Sequence, residues 1–188
     1  MKTDDDIRSR LLSAGVPEEA LSTTLLREGH TELREVISKK LYSSSRLLFF
    51  GQAVQPTGGG SICRGAALAF YLAAKEMVLL GESVYCCSLV DLHDALYGQD
   101  KDNVAPFVDS ADYVAIRDFY DPGGRGEPYF TPYEASHFAS WLIKRHSREG
   151  KGFLLHSGSP LAGIDRWWTN AMVGYLQAKS RSFILRGK

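Results

Sequence analysis

Five short apolar runs mark the chain: RLLFFG (46–51), SVYCCSL (83–89), DYVAIR (112–117), GFLLHS (152–157) and RSFILR (181–186). Their length and their aromatic and β-branched content are those of buried strands. Between them the apolar positions change to a helical period over 62–79, about 89–98, 132–149 and 162–178. A strand that returns parallel to its predecessor needs a crossover, and these helices supply one each time. The alternation predicts a three-layer α/β fold around a mostly parallel five-stranded sheet.

Two helix starts carry their own signals. Ser88-Leu-Val-Asp91 and Thr131-Pro-Tyr-Glu134 fit the capping box, in which an N-cap hydroxyl and an acid three residues on satisfy each other's backbone amides. The second has proline at the first helical position. Upstream, VPEEALSTTLL and TELREVISKKLY read as two amphipathic helices before the first strand, with Gly15-Val16-Pro17 as a breaker between them and residues 4–14. GQDKDNVAP, within 98–110, and DPGGRGEP, within 120–130, have loop composition, so two surface loops are expected around the third strand. No internal repeat or low-complexity tract interrupts the pattern.

Composition narrows the function classes. In a chain of 188 residues, 22 basic side chains balance 22 acidic ones, so no global field draws it to nucleic acid or an anionic membrane and any such contact must be local. No apolar run approaches the roughly 18 residues of a spanning helix, and the start MKTDDDIRSR is unlike a secretion signal, which reads as cytoplasmic. Cys63, Cys86 and Cys87 are odd in number and two are adjacent, a pattern of buried reduced thiols; no paired spacing for zinc accompanies them.

The stretch PTGGGSIC lies between the first strand and the first long helix. Gly58, Gly59 and Gly60 let consecutive backbone N–H groups converge on an anion at a helix N-terminus, where the dipole adds about half a positive charge. A complete phosphate loop continues G-K-[ST], lysine for the outer phosphates and a hydroxyl for magnesium. Here those places hold Ser61 and Ile62, which supply neither. A turn between strand and helix accounts for the glycines equally well.

In order and pattern, GGGSIC with RGAALAFYLAAKEMVLLGESVYCCSLVDLHDAL resembles the AAA+ P-loop ATPases of the bacterial helicase-loader and insertion-sequence ATP-binding type. GVPEEALSTTL resembles the segment before that family's first strand, ADYVAIRDFYD its Walker B strand, WLIKRHSREGKGFLLHSGSP the helix leading into the sensor-1 strand, and RSFILRGK the closing strand. The resemblance runs from about residue 14 to the C-terminus and implies the sheet order 5-1-4-3-2. It implies an N-terminal helical segment, 1–45, packed on an AAA+-like core, 46–188, without a separate C-terminal lid.

Departures from the family pattern are systematic. Arg117 stands where the Walker B aspartate would hold magnesium, while Asp118 keeps the place of the acid that polarises the attacking water. Gly158 stands at the sensor-1 position. Each change removes a different component of phosphoryl transfer, so magnesium-dependent hydrolysis is not expected and no catalytic residue is assigned beyond the place of Asp118. The nucleotide-binding candidates are Gly58, Gly59, Gly60, Ser61, Ile62 and Arg117. No cofactor is expected, save ATP or ADP held weakly without magnesium, Arg117 standing in for the missing lysine and metal. A cation at the end of a central strand needs a negative neighbour: Asp118, Asp91 or a bound anion.

Other residues invite chemistry. Ser61 at a strand-turn-helix junction, with His156 or His137 as base, sketches a hydrolase triad, although G-G-S-I-C lacks the second glycine of a nucleophile elbow. Arg166 is a candidate arginine finger or an ordinary helix charge. Of Trp167 and Trp168, one is expected in the core. Lys144, Arg145, His146, Arg148 and Lys151 form one basic cluster, and Lys179, Arg181, Arg186 and Lys188 another; each suits single-stranded DNA or a solvated helix end. His30 and His93 read as surface side chains.

The resemblance implies a degenerate AAA+-like protein that acts by binding, as a replication or transposition accessory: a helicase-loader-like factor or a regulatory subunit. The expected partner is a replicative helicase or an active ATPase subunit, with DNA through the local basic clusters and no membrane. The alternative is a residual nucleotide-binding ATPase with an altered Walker A loop.

Overall fold

The computed structural model describes residues 4–21, 46–52, 65–98, 101–119, 130–158 and 168–185. In chain order these form α1 (Asp4–Ser13), α2 (Glu18–Leu21), β1 (Leu47–Gln52), α3 (Gly65–Leu79), β2 (Val84–Ser88), α4 (Leu89–Tyr97), α5 (Lys101–Ser110), β3 (Tyr113–Arg117), α6 (Pro132–His146), β4 (Gly152–Ser157), α7 (Asn170–Lys179) and β5 (Arg181–Leu185). The five strands form one sheet in the order β2-β3-β4-β1-β5, every pair parallel, which is the expected 5-1-4-3-2 order.

Helices cover both sheet faces, so the strands are apolar on successive residues and not only on alternate ones. Leu48, Phe50, Tyr113, Ala115 and Leu154 pack on one face against α3, through Phe70, Ala73 and Met77. Leu47, Phe49, Val114, Ile116, Phe153 and Leu155 pack on the other against Leu92, Phe138, Leu142, Met172 and Leu176. α3 is buried along most of its surface, which explains a sequence that is apolar apart from Lys75 and Glu76. Both capping boxes form, Ser88 with Asp91 and Thr131 with Glu134.

The segment 98–110 corrects the sequence reading, because α5 occupies most of what its composition marks as loop. Pro106 removes one backbone bond from this helix, but Val108 is fully buried, so packing outweighs local preference. Its C-terminal end supplies the second anchor. The carbonyls of Asp109 and Ala111 accept from Arg145 at 3.3 and 2.6 Å, and those of Ser110 and Ala111 accept from Lys151 at 2.8 and 2.9 Å. Cations at a helix C-terminus also complement its dipole.

Those contacts account for much of the first basic cluster. Arg145 is fully buried, with its guanidinium over the Phe153 ring, Arg148 lies 3.9 Å from Asp109, and His146 Nδ1 lies 2.7 Å from the Tyr175 hydroxyl. The cluster therefore ties α6 to α5 and α7, and Arg145 is no solvated helix charge. His93 also departs from expectation. It is partly buried between Asp94 and Glu134, at 3.3 and 3.4 Å, and lies against the Phe130 ring. Trp168 is buried ahead of α7, stacked on Phe119 at 4.7 Å, with its indole N–H donating to the Phe119 carbonyl. The helix predicted from 162 is described only from Asn170, and Arg166 and Trp167 lie outside the described residues.

Candidate functional site

A parallel sheet presents its ligand sites at the carboxyl ends of its strands, and the candidate residues of β3 and β4 gather there. Arg117 is the last residue of β3 and pairs in register with Ser88, the last of β2. Asp118 follows with φ 56°, a left-handed conformation that aspartate tolerates better than most residues. This turn lays the Asp118 amide 3.4 Å from His156 Nδ1, and the Phe119 amide donates to the His156 carbonyl at 2.8 Å. The chain leaving β3 is thus held on β4 beyond the end of the ladder.

Arg117, Asp118 and His156 form one charge cluster. Arg117 Nε lies 3.2 Å from Asp118 Oδ2, so the carboxylate partner expected for this arginine is its own neighbour. His156 Nδ1 lies 3.7 Å from Asp118 Oδ1. Burial, reinforced by the Arg117 charge, pulls His156 down to about 4, so the ring is neutral at physiological pH. Burial raises Asp118 above the usual carboxylate value, although Arg117 pulls the other way. Burial also raises Tyr71, whose hydroxyl is hydrogen-bonded to Arg117.

These side chains do not suit a magnesium ion. Magnesium takes oxygen ligands in near-octahedral array, whereas Arg117 offers no lone pair and the carboxylate beside it, Asp118, is already ion-paired. Among the described residues no three His, Cys, Asp or Glu side chains converge as a metal site. Gly58, Gly59, Gly60, Ser61 and Ile62 lie outside the described residues, as do His30, Cys63, Arg186 and Lys188. α3 is described from Gly65, five positions after Gly60, with Gly65 at φ 56°. Gly158 is exposed at the end of β4. His137 lies against the exposed Tyr133, with ring centroids 4.3 Å apart, while the Ser61 of the sketched triad lies outside the described residues.

Sequence reasoning missed a cleft beside this cluster. It has a volume of about 170 Å³ and is walled by Gly15, Pro17, Phe70, Tyr71, Cys86, Cys87, Ser88, Asp91 and Arg117. Its outer wall is the turn after α1, hydrogen-bonded to the edge strand through Cys86 N–H and the Ala14 carbonyl at 2.7 Å. Gly15 has φ 82°, and a Cβ there would stand 2.5 Å from the Cys86 carbonyl oxygen, so glycine is required for the approach. Burial raises Cys86 to about 12, and Cys87 is raised by the same cause, so both free thiols stay protonated. The Gly-Val-Pro break was visible in the sequence, but not that it would cap an edge strand.

Strand order, parallel pairing and flanking helices define the class: an α/β fold of the P-loop NTPase kind. Comparison with solved structures gives the particulars. The chain is similar to the replication initiator DnaA bound to AMPPCP and single-stranded DNA (TM-score 0.61, 16% identity, 89% of this chain and 50% of that one). It is similar to DnaI (TM-score 0.60, 12% identity, 92% and 94%) and to domain III of DnaA from Thermotoga maritima (TM-score 0.56, 11% identity, 92% and 68%). Identities this low establish a shared fold. The chain spans about half the length of the first structures it matches. No protein-family model and no curated protein sequence matches it.

Proposed function

We propose that this protein is a catalytically degenerate AAA+-like factor that acts by binding, as an accessory in DNA replication or transposition. The observation that carries the reading is Arg117. A guanidinium ends β3 where the family places its metal carboxylate, and it holds the adjacent Asp118 in an ion pair. A metal-dependent ATPase needs the opposite arrangement: a carboxylate free to hold the ion and an acid free to orient water. The fold shared with DnaA and DnaI supports a setting in replication, with a helicase or an active ATPase subunit as the partner. ATP or ADP is held weakly, if at all, and without magnesium.

The test is restoration. The native chain and a Ser61→Lys, Ile62→Thr, Arg117→Asp variant are assayed for ATP hydrolysis with magnesium. The reading expects no turnover from the native chain, with activity, if any, appearing in the variant. Native hydrolysis abolished by Asp118→Ala would establish the alternative, a residual ATPase with an altered loop.

A further inference from the structure

We infer that the cleft between the Gly15 turn, α3 and the ends of β2 and β3 is a binding site for a small zwitterion of the amino-acid type, its carboxylate on Arg117 and its ammonium on Asp91. The claim does not depend on the accessory role proposed above. Two charges of opposite sign line one cleft, and the fold fixes how they are placed. Arg117 lies directly opposite Ser88 in the β2–β3 ladder, and Ser88 N–H and Oγ bind Asp91 Oδ2 at 3.1 and 2.6 Å. The acid is thus tethered to the residue paired with the arginine, and both line the same cleft.

Each charged group has capacity left for a ligand. Asp118 engages the Nε edge of Arg117 and the Tyr71 hydroxyl is also bonded to it, but a guanidinium carries five N–H donors, so donors remain for a carboxylate. The capping box engages Oδ2 of Asp91 and not Oδ1. Because the box satisfies the first turn of α4 with its own side chains, that helix end does not offer itself as an anion site. A simple anion would also meet the Asp91 charge. A zwitterion satisfies both groups, and Phe70, Tyr71 and Pro17 line the same cleft as an apolar seat for its side chain. The volume of about 170 Å³ is on the scale of one such molecule.

The experiment is a binding screen of the full-length chain against the twenty free L-amino acids at millimolar concentration, read by thermal shift and by amide NMR, with ATP and ADP in separate wells. At least one amino acid is expected to raise Tm and to shift the amides of Gly15, Ser88 and Arg117. The N-acetyl and C-amide forms of that amino acid each lose one charge and are expected to bind about tenfold more weakly or worse, as are the Arg117→Gln and Asp91→Asn variants with the free form. Asparagine keeps a capping oxygen, so the second variant should fold, and the blocked ligands test the same point on the native chain. The inference is overturned if no amino acid binds, if the blocked forms bind as well as the free one, or if ATP displaces the amino acid. The nucleotide wells report separately on the proposed function.

Discussion

The Ala111 carbonyl sets up a double-mutant cycle. Arg145 Nη2 and Lys151 Nζ both donate to it, at 2.6 and 2.9 Å, where α5 ends and β3 is about to begin. Arg145→Met removes that bond and the weaker one to the Asp109 carbonyl at 3.3 Å, but keeps most of the apolar stem and leaves Lys151 on Ala111. Hydrogen bonds to charged groups contribute about 1.5–3 kcal/mol each, and losing the buried guanidinium recovers part of its desolvation cost, so the single variant should cost about 2 kcal/mol. Lys151→Met, at a less buried site and with Arg145 retained, should cost about 1 kcal/mol. With both changed, a buried carbonyl has no donor, which adds a penalty of about 1–3 kcal/mol that neither single variant incurs. Urea unfolding followed by tryptophan fluorescence measures all four corners. The double variant should exceed the sum of the singles by about 1 kcal/mol or more; additivity within about 0.5 kcal/mol would refute the shared-acceptor argument and free these cations for another role.

Three further outcomes follow from the site. Gly15→Ala should destabilise by about 2 kcal/mol or more in the same assay, since it combines a left-handed φ with a Cβ pressed on the Cys86 carbonyl; a cost under about 0.5 kcal/mol would mean the turn does not pack on β2 as described. His156 binds its proton more weakly folded, at about 4, than unfolded, near 6.5, so its contribution is present above pH 6.5 and lost as pH falls from there through 4. His156→Gln should flatten that limb of the stability curve by up to about 3 kcal/mol, and an unchanged limb would contradict the buried neutral ring. Cys86 and Cys87 should react with a disulfide reagent at pH 8 at least about tenfold faster in the unfolded chain than in the native one; a fast native phase of more than one thiol would contradict their raised values.

Much of this architecture was legible because burial on both sheet faces writes continuous apolar runs, and each of the five predicted strands lies within one or two residues of the observed one. The capping boxes at Ser88 and Thr131 were legible because their chemistry is local. α5 was not, since a segment rich in Gly, Asp, Asn and Pro is helical only through Val108 and through cations 34 to 41 residues away in sequence. For the same reason the cluster around Arg145 could be seen as basic but not as buried. At the site, sequence order placed Arg117 beside an acid, but the part of His156 and the cleft under Gly15 depend on register between strands distant in sequence.

The central claim is that a fixed guanidinium, and not a metal, governs charge at the end of β3. Calorimetric titration of the native chain with ATP, with and without magnesium, tests it most directly. The account predicts weak or absent binding that magnesium does not strengthen; tight binding that requires magnesium and is lost in Asp118→Ala would contradict it.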